Sequence, residues 1–202
     1  MTNFPLRLFL LAALYLPLAG RAQQVPAVLN PISLDTGFQL LAKGDYRGAF
    51  EIFISSHGAA PYYFLQLYWD RKQTEQYREQ GREVEPIIQG LATCLGKLDP
   101  APTTPDDADF HAQKGVAFIK NGKDARDFEA ARKEFQLALN SALWVSDYHY
   151  NLALCQKWLK QPEPALLSLR YASILARDDK QRRAINAVRA EIEAVQEIQN
   201  RR

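Results

Sequence analysis

The sequence predicts an all-α chain built from antiparallel helix pairs and closed by a C-terminal capping helix. Three observations carry this expectation. Every apolar segment after residue 31 repeats at spacings of three and four, which gathers side chains on one face of a helix. The pattern Ala-x-x-x-Phe occurs twice, at Ala49/Phe53 and at Ala131/Phe135. Glycine or proline stands where a helix has to stop, at Gly44, Pro61, Pro100 and Gly122.

Residues 1–22 read as a secretory signal peptide. Arg7 supplies the positive start, residues 8–18 the apolar run, and Gly20 and Ala22 the small residues before a cut ahead of Gln23. The apolar run is about half the length of a spanning helix and Pro17 interrupts it, so no stable membrane insertion is expected once the signal is removed. Arg21 stands where a lipoprotein signal would carry its lipid-modified Cys. The expected destination is the periplasm or the exterior. Residues 23–31 form a leader with two prolines.

Residues 32–98 hold the first two helix pairs. Helix one of the first pair is expected over 33–43, with Leu34, Phe38 and Leu41 on one stripe. Gly44 suits the left-handed residue that ends it, and Asp45 suits the cap of a second helix over 46–55. Ala49 and Phe53 share the inner face of that helix. Tyr62, Leu65 and Trp69 open a less regular second pair. A polar stretch over 70–85 follows, and Pro86 opens a helix with Ile87, Leu91, Cys94 and Leu98 on one face.

Residues 99–107 are a proline-rich linker, with Asp106 or Asp107 placed to cap the next helix. Residues 108–179 hold two further pairs. In the third, Gly115 and Phe118 lie on the first helix, Gly122 ends it, Asp127 suits a cap, and Phe128, Ala131, Phe135 and Ala138 fill the second. In the fourth, Leu152 and Ala153 are followed by a turn over 160–164 with two prolines, and then by Ala165, Leu169 and Ala172. Residues 180–202 carry Ile185, Val188, Ile192, Val195 and Ile198 on one stripe. That stripe suits a cap over the last pair or the pairing of two chains.

Gly37, Gly44, Tyr46, Ala49, Phe53 and Pro61 together resemble a tetratricopeptide (TPR) repeat, and the resemblance extends over residues 30–179. It implies a right-handed superhelix of helix pairs whose first helices line a concave groove that takes a protein or peptide partner. By position the groove would hold Phe38, Tyr63, Leu67, Val116, Tyr150, Leu154, Lys157 and Trp158, with Leu34, Leu41, Asp70, Ala112 and Ile119 beside them. The paired Lys and Asn with which chaperone-binding TPR domains clamp a C-terminal carboxylate are not matched. A groove open to a hydrophobic or helical segment and a set of side chains closed into the core are both compatible with the pattern.

Charge and motif content narrow the function. Without Arg7 and Arg21, basic and acidic residues balance at 23 each, which argues against nucleic-acid binding. No zinc-binding His-Glu-x-x-His, nucleophile elbow, phosphate loop or Cys-x-x-Cys is present, so no catalytic, cofactor or metal residue is expected. His57, His111 and His149 read as solvated or helix-end residues, and Cys94 and Cys155 as buried thiols or one disulfide. The sequence therefore points to an exported interaction scaffold. The other reading is a small-ligand or cell-wall-polymer module using Tyr62, Tyr63, Tyr68, Trp69, Trp144 and Trp158. Oligomeric state is not legible.

Overall fold

The computed structural model describes residues 31–57 and 75–201, and among these the chain is helical throughout, with eight helices and no strand. Helices α1 (Pro31–Ala42) and α2 (Tyr46–His57) form a hairpin. The turn between them follows from two residues. Gly44 takes φ +79°, and the amides of Gly44 and Asp45 donate to the carbonyls of Leu41 (3.0 Å) and Leu40 (3.0 Å), closing the end of α1. Asp45 Oδ1 then accepts from the amide of Gly48 (2.9 Å) at the start of α2.

Helix α3 (Glu75–Leu95) differs from the expectation. Pro86 lies inside it rather than opening it. The helix continues through the proline because its apolar side is buried before and after, at Val84, Ile87, Ile88, Leu91 and Cys94. That burial outweighs the lost hydrogen bond. Helix α3 packs against both α1 and α2. The helix expected across Tyr62, Leu65 and Trp69 lies outside the described residues.

The ring of Phe53 is fully buried between α1 and α3. A methyl group built on Gly37 would stand 2.7 Å from it, and one built on Gly90 would stand 2.5 Å away. Glycine at both places is what lets two helices close on one ring. Phe135 repeats half of this arrangement, with a methyl on Gly115 falling 2.8 Å from its ring. Ala49 and Ala131, one turn before each phenylalanine, have no exposed surface.

Helices α4 (Asp106–Asn121) and α5 (Ala125–Ser141) make the next hairpin, α6 (Ser146–Trp158) and α7 (Pro162–Leu175) another, and α8 (Asp179–Asn200) ends the chain. Two caps fall elsewhere than expected. The residue before α4 is Pro105, and Asp106, Asp107 and Asp109 occupy its first turn, where they meet the positive end of the helix dipole. The cap of α5 is Asp124, whose Oδ1 accepts from the amides of Arg126 (2.8 Å) and Asp127 (3.4 Å). Asp127 instead accepts from the amide of Lys123 (2.8 Å) across the turn. The end of α6 lacks glycine, and Lys160 takes the left-handed position itself (φ +57°) while Gln161 donates to the Gln156 carbonyl (2.9 Å). Asp178 caps α8 through the amide of Gln181 (2.8 Å).

Ala153, Ala165, Leu169, Ala172, Ile185, Val188 and Ile192 form one core cluster that seats α8 on the last hairpin. Beyond it Val195 and Ile198 are 49% and 56% exposed. A larger cluster runs from Ala49 and Phe53 through α3 to Leu139, Leu143, Tyr171 and Leu175. It includes a joint between elements distant in sequence, because α3 packs against α7 and Arg170 pairs with Glu85 at 2.6 Å. Phe50 of α2 meets Trp144, in the turn before α6, edge to face at 5.1 Å.

Candidate functional site

Helices α4 and α6, the first members of two successive hairpins, leave between them a groove of about 490 Å³. Its floor is Ala112 and Val116 from α4 and Tyr148 from α6; Gln113, Ala117 and Asn121 edge one side and Asn151 the other. On α4 the spacing Asp109, Gln113, Val116, Lys120 is one helical stripe, so a single helix face supplies carboxylate, amide, apolar and ammonium groups in order. Asp109 and Asp147 both belong to the first turns of their helices, and Lys120 to the last turn of α4. The groove thus has an acidic end and a basic end.

Two hydrogen bonds fix the acidic end. Tyr148 Oη donates to Asp109 Oδ1 at 2.5 Å, and Gln181 Nε2 donates to Asp147 Oδ1 at 3.0 Å. Burial and the bonded Asp109 carboxylate push the Tyr148 phenol well above its ordinary range, so it stays a donor. Asp109, Asp147 and Lys120 are exposed, and no ion pair reaches any of the three among the described residues.

Behind α4, Glu134 of α5 is nearly buried and holds two partners, Lys114 Nζ at 2.6 Å and His111 Nδ1 at 2.8 Å. Burial alone would raise its pKa, but the bonds and charges of Lys114 and His111 prevail and hold it below the ordinary glutamate range. This cluster ties α4 to α5.

The expected groove residues are divided between several places. Val116 lines the groove, with Ala112 beside it. Tyr150 and Leu154 do not reach it; both are half-buried against the cluster that seats α8. Lys157 pairs with Glu191 of α8 at 2.7 Å and borders a smaller notch of about 230 Å³ with Pro162, Ile192 and Val195. Trp158 stacks at a tilt over Phe128, 4.8 Å between ring centres, and is 37% exposed. Phe38, on α1, stands edge to face on Phe53 at 5.2 Å. Leu34, Leu41 and Ile119 pack against the larger core cluster. Tyr63, Leu67 and Asp70 lie outside the described residues. The reason for the division is that α8 folds along α6 and takes the side of it that holds Tyr150, Leu154 and Lys157.

Asp109, Gln113, Lys120, Asp147, Tyr148 and Asn151 were not expected in the groove. The periodicity of α4 contains the signal for three of them, since they share the stripe of Val116. Among the aromatics of the ligand-module reading, Trp144 is buried on Phe50, Trp158 lies on Phe128, and Tyr62, Tyr63, Tyr68 and Trp69 are outside the described residues.

His149 is a helix-end residue, in the first turn of α6, but it is buried and not solvated; its Nε2 donates to the Leu143 carbonyl (2.8 Å), and its Nδ1 has no partner. Burial drives its pKa down to about 4. His111 is half-buried on Glu134, and the side chain of His57 lies outside the described residues. Cys94 and Cys155 are free, buried thiols, which burial pushes up to about 11 and about 12. Among the described residues no group of three or more His, Cys, Asp or Glu is arranged to hold a metal ion, and no helix is long and apolar enough to cross a membrane. Comparison of the chain with protein-family models, curated proteins and solved structures gave no match.

Proposed function

We propose that this protein is an exported, TPR-like scaffold that holds a peptide segment of a partner protein in the groove between α4 and α6. The observation that carries the reading is the groove itself: an apolar floor of Ala112, Val116 and Tyr148 between two first helices, edged by side-chain amides. Amides at the edge satisfy the backbone of a guest, while the floor takes its side chains. The close approach of Gly37 to Phe53 and of Gly115 to Phe135 supports the repeat assignment, because the TPR pattern has a small residue at both positions.

A photocrosslinking amino acid at Asn151, in cells exporting the full chain, tests this. Discrete adducts are expected at Asn151 and not at Lys133, which is exposed on α5 and lines neither the groove nor the notch. They should vanish when Ala117→Trp fills the groove. Equal adducts from both positions, or adducts untouched by Ala117→Trp, would refute the groove as the binding site.

A further inference from the structure

We infer that the groove selects an extended segment with a basic side chain at one end, seated on Asp109 and Asp147. The inference rests on the scaffold reading above and adds the chemistry of the guest. Its basis is charge left without a counterion. Some charges at helix junctions are paired across elements, Lys114 with Glu134, Lys157 with Glu191 and Arg170 with Glu85, while others, such as Asp107 on Ser141 and Glu163 on Gln196, meet an uncharged partner. Two carboxylates share one end of the groove, a lysine holds the other, and none of the three has an ionic partner among the described residues. The bonds from Tyr148 and Gln181 orient the carboxylates without neutralising them, since both donors are uncharged. A lysine or arginine brought to that end would find two fixed acceptors.

Spacing along α4 sets the rest of the pattern. At 1.5 Å per residue, Val116 lies about 10 Å from Asp109, and Lys120 about 16 Å. An extended guest exposes the backbone groups that the edging amides of Gln113, Asn121 and Asn151 can pair, whereas an α-helix pairs its own. Such a guest advances about 3.3 Å per residue. It would carry its apolar anchor about three residues, and any acid for Lys120 about five residues, from the basic one.

Display of random 12-residue peptides against the full chain tests this, with Ala117→Trp, Asp147→Asn and Asp109→Asn/Asp147→Asn as parallel baits. Asparagine keeps an acceptor for Tyr148 and for Gln181, so the double variant should melt like the parent. Asp147→Asn alone, which leaves the Tyr148 bond intact, serves if it does not. Wild-type bait should enrich a basic residue three positions from an apolar one. Synthetic copies of the selected peptides should bind the double variant about tenfold more weakly, the sum of two modest exposed ion pairs. Peptides enriched without a basic residue, or with unchanged affinity for the asparagine variants, would overturn the charge selection and leave the groove standing. Enrichment on wild type no different from that on Ala117→Trp would remove the groove, and this inference with it.

Discussion

Gly90→Ala is a sensitive probe of the packing of α1, α2 and α3. The added methyl would stand 2.5 Å from two carbons of the Phe53 ring, where ordinary carbon contacts are about 3.5–4.0 Å. The ring therefore has to retreat by about 1 Å. A surface ring would do so at little cost, but Phe53 has no exposed area, and its far edge already sits where a methyl on Gly37 would be 2.7 Å away. Retreat from one helix is advance on the other. Overpacking of this kind costs about 1–3 kcal/mol, against which alanine gains about 1 kcal/mol of helix propensity over glycine. The net expectation is a loss of up to about 2 kcal/mol, read from urea unfolding followed by far-UV circular dichroism. Phe53→Leu removes the colliding ring carbons, so Gly90→Ala in that background should be neutral or stabilising, with a coupling of about 1 kcal/mol or more. If Gly90→Ala stabilises the parent, propensity alone is acting and the ring is not clamped between two helices.

Three further outcomes follow from the same packing. Ala49→Leu and Ala131→Leu should each cost about 1–3 kcal/mol, because both methyls are fully buried at helix contacts; melts equal to the parent would show that neither sits there. Lys160→Gly should stabilise by about 1 kcal/mol, since glycine takes the left-handed position without the penalty that lysine bears; an unchanged denaturation midpoint would contradict that geometry. Acidification should weaken the fold through His149. Its pKa is lowered in the folded chain to about 4, so from about 6.5 downward the unfolded chain binds a proton that the folded chain refuses. Stability on this account is full above pH 6.5 and falls towards pH 4, by about 2 kcal/mol between pH 7.5 and 5. His149→Gln, which keeps a donor for Leu143, should flatten that window, and a variant as acid-sensitive as the parent would reassign the effect.

The local features of the fold were legible because they depend on residues close in sequence. Gly44 ends α1 with positive φ, Asp45 caps α2, and Ala49 and Phe53 are buried together, each as its neighbours dictate. Pro86 misled because a proline after a polar run has the pattern of a helix start. Only the burial of Val84, supplied by distant residues, reveals a helix already under way. The groove was legible to the extent of Ala112 and Val116. That Tyr148 meets Asp109 depends on the register between α4 and α6, which no periodicity encodes. Tyr150, Leu154 and Lys157 have the spacing of an open stripe, and what covers them is α8, more than twenty residues further on.

The joint between α3 and α7 has a consequence for how the chain is made. Glu85 and Arg170 are 85 residues apart, and the cluster that holds Ile87, Ile88 and Leu91 is completed by Tyr171 and Leu175. Translation at about 5–20 residues per second leaves that side of α3 uncovered for about 4–17 s before its partner has even been polymerised. An array whose units lean only on their immediate neighbours would settle pair by pair as it emerged. Here the opening helices must wait for the last hairpin, so a nascent chain presents an oily face for seconds at a time. That interval is when a holding chaperone would have most to do, and a ribosome stalled near residue 150 should leave a chain that aggregates.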